Sequence, residues 1–170
     1  MTEETLFRQL LDNNIPFILI GGTALAAYGS SRITIDTDIA VKTLDIDKII
    51  SLFYSLNLKM VIGVDKNQYP LFAENSNEAI IFSNKSDWGF IKFLSEDLEL
   101  DVLYDIPLPF IHLLKSAQSK KVFGIEIKTA SLDHLLIMKE KAVQNRENSE
   151  KKELDKIDIA FIKDKLKNNH

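Results

Sequence analysis

The sequence predicts an α+β protein built on a mixed β-sheet core, flanked by helices and ending in a C-terminal helical pair. Three observations predict it. Short apolar runs bounded by Gly, Pro or polar turns recur between residues 17 and 104, helical spacing marks segments before and among them, and two long helical patterns follow residue 132.

Residues 6–11 open the chain as an amphipathic helix, with Leu6, Phe7, Leu10 and Leu11 at helical spacing and an end near Asn13-Asn14. Phe17-Ile18-Leu19-Ile20, between Pro16 and Gly21-Gly22, reads as a strand buried on both faces. Thr23 to Tyr28 is Ala- and Leu-rich and helical, Gly29-Ser30-Ser31-Arg32 is a loop, and Thr34 to Val41 alternates as a second strand. Asp45 is the expected N-cap of a helix whose apolar positions are Ile46, Ile49, Ile50, Phe53 and Leu56. Strands are expected near Lys59 to Ile62, Ala79 to Ser83, Trp88 to Leu94 and Glu99 to Tyr104. Leu108 to Ala117 is helical, Val122 to Lys128 holds a hairpin turning at Gly124, and the helices Leu132 to Asn145 and Glu150 to Lys167 close the chain.

Composition sets outer limits. With 170 residues, 45% of them apolar, and no repeat or Pro-rich linker, the expectation is one domain over 1–170: a core over 1–105, and over 106–170 a hairpin and helices packed on it. No apolar run approaches the roughly 20 residues that span a bilayer, and Met1 to Asp12 is charged and helix-like, so a cytoplasmic protein with no membrane partner is expected. Zero cysteines exclude disulfides, thiolate metal sites and cysteine nucleophiles, and His112, His134 and His170 are far apart; any metal must be held by oxygen. A net charge of -4 argues against a strongly basic nucleic-acid-coating protein, a local patch aside.

The chemistry lies in the front third. Gly21-Gly22-Thr23 sits between a buried strand and a helix, where backbone N–H groups can approach an anion closely; the plain alternative is a tight turn. Asp36 and Asp38, two apart on a strand, point to the same side, so they are either solvent-exposed or neutralised by a divalent cation. Asp101 interrupts an apolar strand, on the face it shares with Glu99, Leu103 and Asp105; it is a solvent-facing acid or a third member of the site. Arg32, just before the acids, is a phosphate grip or a surface arginine. Trp88, Phe90 and Phe93 are read as core rather than as a base-stacking platform.

The run Ile20-Gly21-Gly22-Thr23-Ala24-Leu25, then Tyr28-Gly29, then Ser31 to Ile39 resembles the active-site signature of the DNA polymerase beta-like nucleotidyltransferase superfamily. The resemblance implies a nucleotidyltransferase core in which Gly21, Gly22 and Thr23 hold phosphates and Asp36, Asp38 and Asp101 bind Mg2+ or Mn2+. The tail is similar to the closing helices of AbiEii-like bacterial toxins through Leu132 to Lys139 and Asp155 to Ile159; residues 44–95 carry no motif. Lys139 falls on the stripe of Leu132, Leu136 and Val143, and Asp158 on that of Leu154, Ile157, Phe161 and Ile162. Charges on apolar stripes need partners, so the two are either a structural ion pair or a pair facing the nucleotide, with Lys139 on a phosphate.

The implied activity is transfer of NMP from an NTP to a hydroxyl of RNA, a protein or a small molecule, in a toxin–antitoxin or phage-defence setting with a cognate antitoxin. An antibiotic adenylyltransferase and a catalytically silent nucleotide-binding or regulatory module are the alternatives.

Overall fold

The structure, a computed structural model, describes residues 1–86, 89–105, 107–147 and 150–168. The chain divides into two compact units, Met1–Phe17 with Ile35–Ile106, and Ile18–Thr34 with Pro107–His170. Each is α+β with strands running both ways, the class expected from the sequence.

In the first unit α1 (Glu3–Asp12) starts from Thr2, whose hydroxyl accepts a hydrogen bond from the Thr5 amide at 3.2 Å, and it buries Leu6, Phe7 and Leu10. Leu11 is 43% exposed and leaves the stripe. Strand β2 (Asp36–Val41) begins two residues later than expected, leaving Ile35 outside it. A 3-10 turn, Thr43–Asp45, leads into α3 (Ile46–Ser55), which buries Ile46, Ile49, Ile50 and Phe53. Asp45 does not cap it: the turn puts Asp45 in helical backbone, where its side chain makes no capping bond, rather than in the extended backbone a cap requires.

Strands β3 (Lys59–Val64), β4 (Pro70–Phe72), β5 (Phe90–Leu94) and β6 (Glu99–Tyr104) complete the unit's sheet in the order β4-β3-β5-β6-β2, with β2 and β6 parallel and the other pairs antiparallel. The three-residue β4 was not expected. It is an edge strand led by proline, where a missing N–H is tolerated. Ala79 to Ser83, expected as a strand, lies instead in α4 (Ser76–Lys85). The Asn75 side chain accepts from the Glu78 amide at 3.0 Å while the Glu78 carboxylate accepts from the Glu74 amide at 2.6 Å. This reciprocal capping, with Ala79 and Ser83 buried four residues apart, overrides an apolar run that has no period of its own. Phe93 is in the core, edge-on to Phe53 at 5.0 Å, whereas Phe90, three positions away on the other face, is 40% exposed; Trp88 lies outside the described residues.

In the second unit Ile18, Leu19 and Ile20 of β1 (Phe17–Ile20) are fully buried, and α2 (Gly21–Ala27) follows directly. Helix α5 (Phe110–Ser116) precedes a hairpin of β7 (Gln118–Val122) and β8 (Ile125–Thr129), whose turn residues Phe123 and Gly124 both have positive φ, 50° and 76°. The strand order is β1-β8-β7, with β1 parallel to β8. Helix α6 (Leu132–Asn145) is capped by Ser131, and α7 (Glu150–Asn168) packs against it. The buried positions of α7 are Asp155, Asp158 and Ile162, while Leu154 and Ile157 are exposed. The expected apolar stripe is therefore displaced, because ion pairs rather than aliphatic contacts hold this face. No described helix is long and apolar enough to cross a membrane.

Candidate functional site

The three acids read from the sequence lie on one face of the first unit's sheet. The parallel register sets Asp38 beside Asp101 and Asp36 beside Glu99, and paired residues of adjacent strands share a face, so four carboxylates line one side of β2 and β6. Thr37, between the two aspartates, points the other way, is fully buried and donates to Glu3. On β5, opposite Asp101, stands Lys92. Its ammonium lies 3.1 Å from Asp101 Oδ1 and also bonds Glu99.

Burial holds the Asp101 carboxyl above the ordinary carboxylate range, with the charges of Asp36 and Glu99 adding to the rise and Lys92 opposing it. Burial works against the charge on Lys92, but Glu99 and Asp101 outweigh it and raise its pKa. Asp101 Oδ1 is buried, with the Lys92 ammonium 3.1 Å away. An all-oxygen set of this kind suits a hard divalent cation. Among the described residues no three His, Cys, Asp or Glu side chains lie within common reach of one ion; Lys92 supplies the counter-charge. Sequence reasoning missed it, although a lysine centred in Phe90-Ile91-Lys92-Phe93-Leu94 is a charge that needs a partner.

The glycine turn, Arg32, Lys139 and Asp158 belong to the second unit. Gly21 takes a positive φ of 65°, and Ile20 gives α2 no side-chain cap. Gly22 serves a close approach. A Cβ there would meet Thr34 Oγ1 at 2.7 Å and the Arg32 guanidinium at 2.8 Å, so the returning loop lies directly on the helix start. Thr23 is buried.

Arg32 is no plain surface arginine. Its Nε and Nη2 donate to the two oxygens of Asp158 at 2.8 and 3.1 Å, a bidentate pair on a carboxylate that is 1% exposed. Lys139 reaches both Asp158 and Asp155 at 2.8 Å, and Arg146 also bonds Asp155. Burial lowers the affinity of Lys139 for its proton, but hydrogen bonds to Asp155 and Asp158 outweigh this and raise its pKa. The expected Lys139–Asp158 pair thus exists as the middle of a chain, Arg32–Asp158–Lys139–Asp155–Arg146. Asp155 and Arg146 were not singled out, although Asp155 and Asp158 at i, i+3 share a helix face.

No protein-family model matches the sequence, and no curated protein matches it. Among solved structures the chain is similar to ANT(2'')-Ia in complex with adenylyl-2''-tobramycin, with a TM-score of 0.64 and 13% identity over 98% of this chain and 90% of that one. It is similar to the lincomycin-bound lincosamide antibiotic adenylyltransferase LnuA, with a TM-score of 0.56 and 14% identity over 96% and 97% of the two chains. A third is an antigenic nucleotidyltransferase-like protein from Paracoccidioides brasiliensis, at TM-score 0.54 and 19% identity over 93% of this chain and 72% of that one. The likeness is one of fold. The chain has the nucleotidyltransferase fold that its front-third motif implied.

Proposed function

We propose that the chain is a metal-dependent nucleotidyltransferase, moving NMP from an NTP to a hydroxyl acceptor. The observation that carries the reading is the strand register that sets Asp38 against Asp101, with Asp36 on the same face, in this fold. Asp36, Asp38 and Asp101 share one face without lying within common reach of a single ion, and they are the residues that would hold Mg2+ or Mn2+ between them; the ion would supply charge neutralisation for the triphosphate and a lowered pKa for the acceptor hydroxyl. Gly21, Gly22 and Thr23 take phosphates through backbone N–H groups, and Arg32, aimed by Asp158 and Lys139, adds a fixed cation. The acceptor oxygen bonds to the α-phosphorus, the bond from that phosphorus to the bridging oxygen breaks, and pyrophosphate leaves. The acceptor proton passes to a carboxylate of the site, for which Asp101 is our choice.

The tail motifs support an AbiEii-like toxin acting with a cognate antitoxin. The similar folds of ANT(2'')-Ia and LnuA support an antibiotic acceptor no more strongly, since fold does not carry substrate. A silent binding module is the second reading, favoured by Lys92 pairing with Asp101.

Calorimetry with each NTP and magnesium tests the proposal, followed by label transfer to total RNA, protein or aminoglycoside. The wild-type chain is expected to bind NTP only with magnesium, and Asp36→Asn with Asp38→Asn to lose that binding while staying folded. Unchanged NTP affinity in the double variant would remove the reading; binding without transfer would favour the silent module.

A further inference from the structure

The net charge of -4 conceals a division. The first unit has 7 Lys or Arg against 16 Asp or Glu, and the second has 14 against 9. In the second unit Arg32, Lys139 and Arg146 are consumed by Asp155 and Asp158, and Lys156 and Lys163 by Glu153 and Glu140. Two of the remaining lysines, Lys120 and Lys165, line one cavity.

This cavity, of about 410 Å³, lies at the C-terminal end of α2, against β7, the start of α6 and the end of α7. Its polar lining is Tyr28, Gln118, Lys120, Ser131, Asp133 and Lys165. The Lys120 ammonium sits 4.1 Å from the centre of the Tyr28 ring, which is fixed in turn by its hydroxyl donating to the Ala130 carbonyl at 2.9 Å. The Lys165 ammonium lies 3.8 Å from where a Cβ on Gly29 would stand, and Phe161 flanks it at 5.6 Å. Among the described residues neither ammonium has a carboxylate within ion-pair distance, and the one acid in the lining, Asp133, is exposed. Two ammoniums held by aromatic rings, with the Gln118 amide beside them, match the several oxygens of a phosphate.

We propose that this cavity is a phosphate subsite for the backbone of a nucleic acid, which is the transfer acceptor. The excess of cations across the second unit favours a polymer of phosphates over a single anion, because such a field acts over many charges together. The role as acceptor rests on the transferase reading; binding at the cavity does not.

The test is fluorescence anisotropy of the full chain with an end-labelled single-stranded RNA of about 20 nucleotides, without NTP, over a salt titration. The RNA is expected to bind. Lys120→Gln with Lys165→Gln should weaken it about tenfold or more and flatten the log–log salt slope by roughly 0.7 for each lysine. Lys59→Gln with Lys66→Gln, in the first unit, should change affinity less than about twofold. Inorganic phosphate should displace the RNA better than chloride of equal ionic strength. Equal losses in the two double variants, or no binding, would overturn the proposal. Phosphate binding that needs Lys120 and Lys165 without RNA binding would overturn the nucleic acid as its source. NTP calorimetry on the same variant separates the two readings: lysine-dependent RNA binding by a chain that binds no NTP would keep this site and remove the transferase.

Discussion

Gly22 shows how one residue joins backbone and chemistry. A side chain there collides with Thr34 and Arg32, the residue whose guanidinium Asp158 grips. Gly22→Val is therefore expected to push the returning loop away, costing about 1–3 kcal/mol of stability by overpacking. It should also weaken NTP binding more than AMP binding. Denaturant unfolding and calorimetry check the two halves; a fully stable variant with wild-type NTP affinity would mean the loop has room to yield. The sequence revealed that a glycine belongs at this position. It did not reveal that another part of the chain fills the space, because contacts between Gly22 and residues 32–34 depend on a loop whose path no local pattern dictates.

At the scale of elements, legibility follows from how a segment earns its stability. Helices α1, α3 and α6 were readable because their apolar periodicity extends over nearly three turns or more, and α7 for its length although its buried face is not the apolar stripe. Residues 79–83 were misread because a run of Ala79-Ile80-Ile81-Phe82 suits either period and the capping pair Asn75 and Glu78 decides it. The α6–α7 contact was readable only in part. Lys139 and Asp158 stood out as charges needing partners, but the five-member chain requires Arg32, which lies 126 positions from Asp158. That chain makes a graded prediction. Asp158 joins two cations at 1% exposure, so Asp158→Asn strands Arg32, leaves Lys139 with Asp155 alone, and should cost about 3–5 kcal/mol. Lys139→Met leaves Asp158 with Arg32 and Asp155 with Arg146, and should cost distinctly less. Urea unfolding of both variants measures the order, and equal losses would show that Lys139 alone holds the network.

Over the whole molecule, charge is distributed by unit rather than averaged, with the carboxylates of β2 and β6 on the acidic one. Adding Mg2+ should raise Tm more than Na+ at matched ionic strength, because a divalent cation relieves repulsion that screening only dilutes. In Asp36→Asn with Asp38→Asn, that extra shift should vanish and the starting Tm should stand at or above wild type. Thermal melts in the two salts provide the check, and a magnesium-specific shift that survives in the variant would place the ion elsewhere. The acids themselves were legible as a motif. Lys92 was not weighed, since its pairing with Asp101 is set by the alignment of two strands and not by any spacing along the chain.

The pairing of β1 with β8 has a consequence for synthesis. Leu19 is matched with Thr129, 110 positions later. At a translation rate of roughly 5–20 residues per second, β1 leaves the ribosome several seconds or more before this partner exists. During that time Ile18, Leu19 and Ile20, wholly buried in the finished protein, belong to a nascent strand whose partner β8 has not yet been made. Such a segment invites capture by other strands, so the yield of folded protein should depend on holdase chaperones and on the pace of elongation.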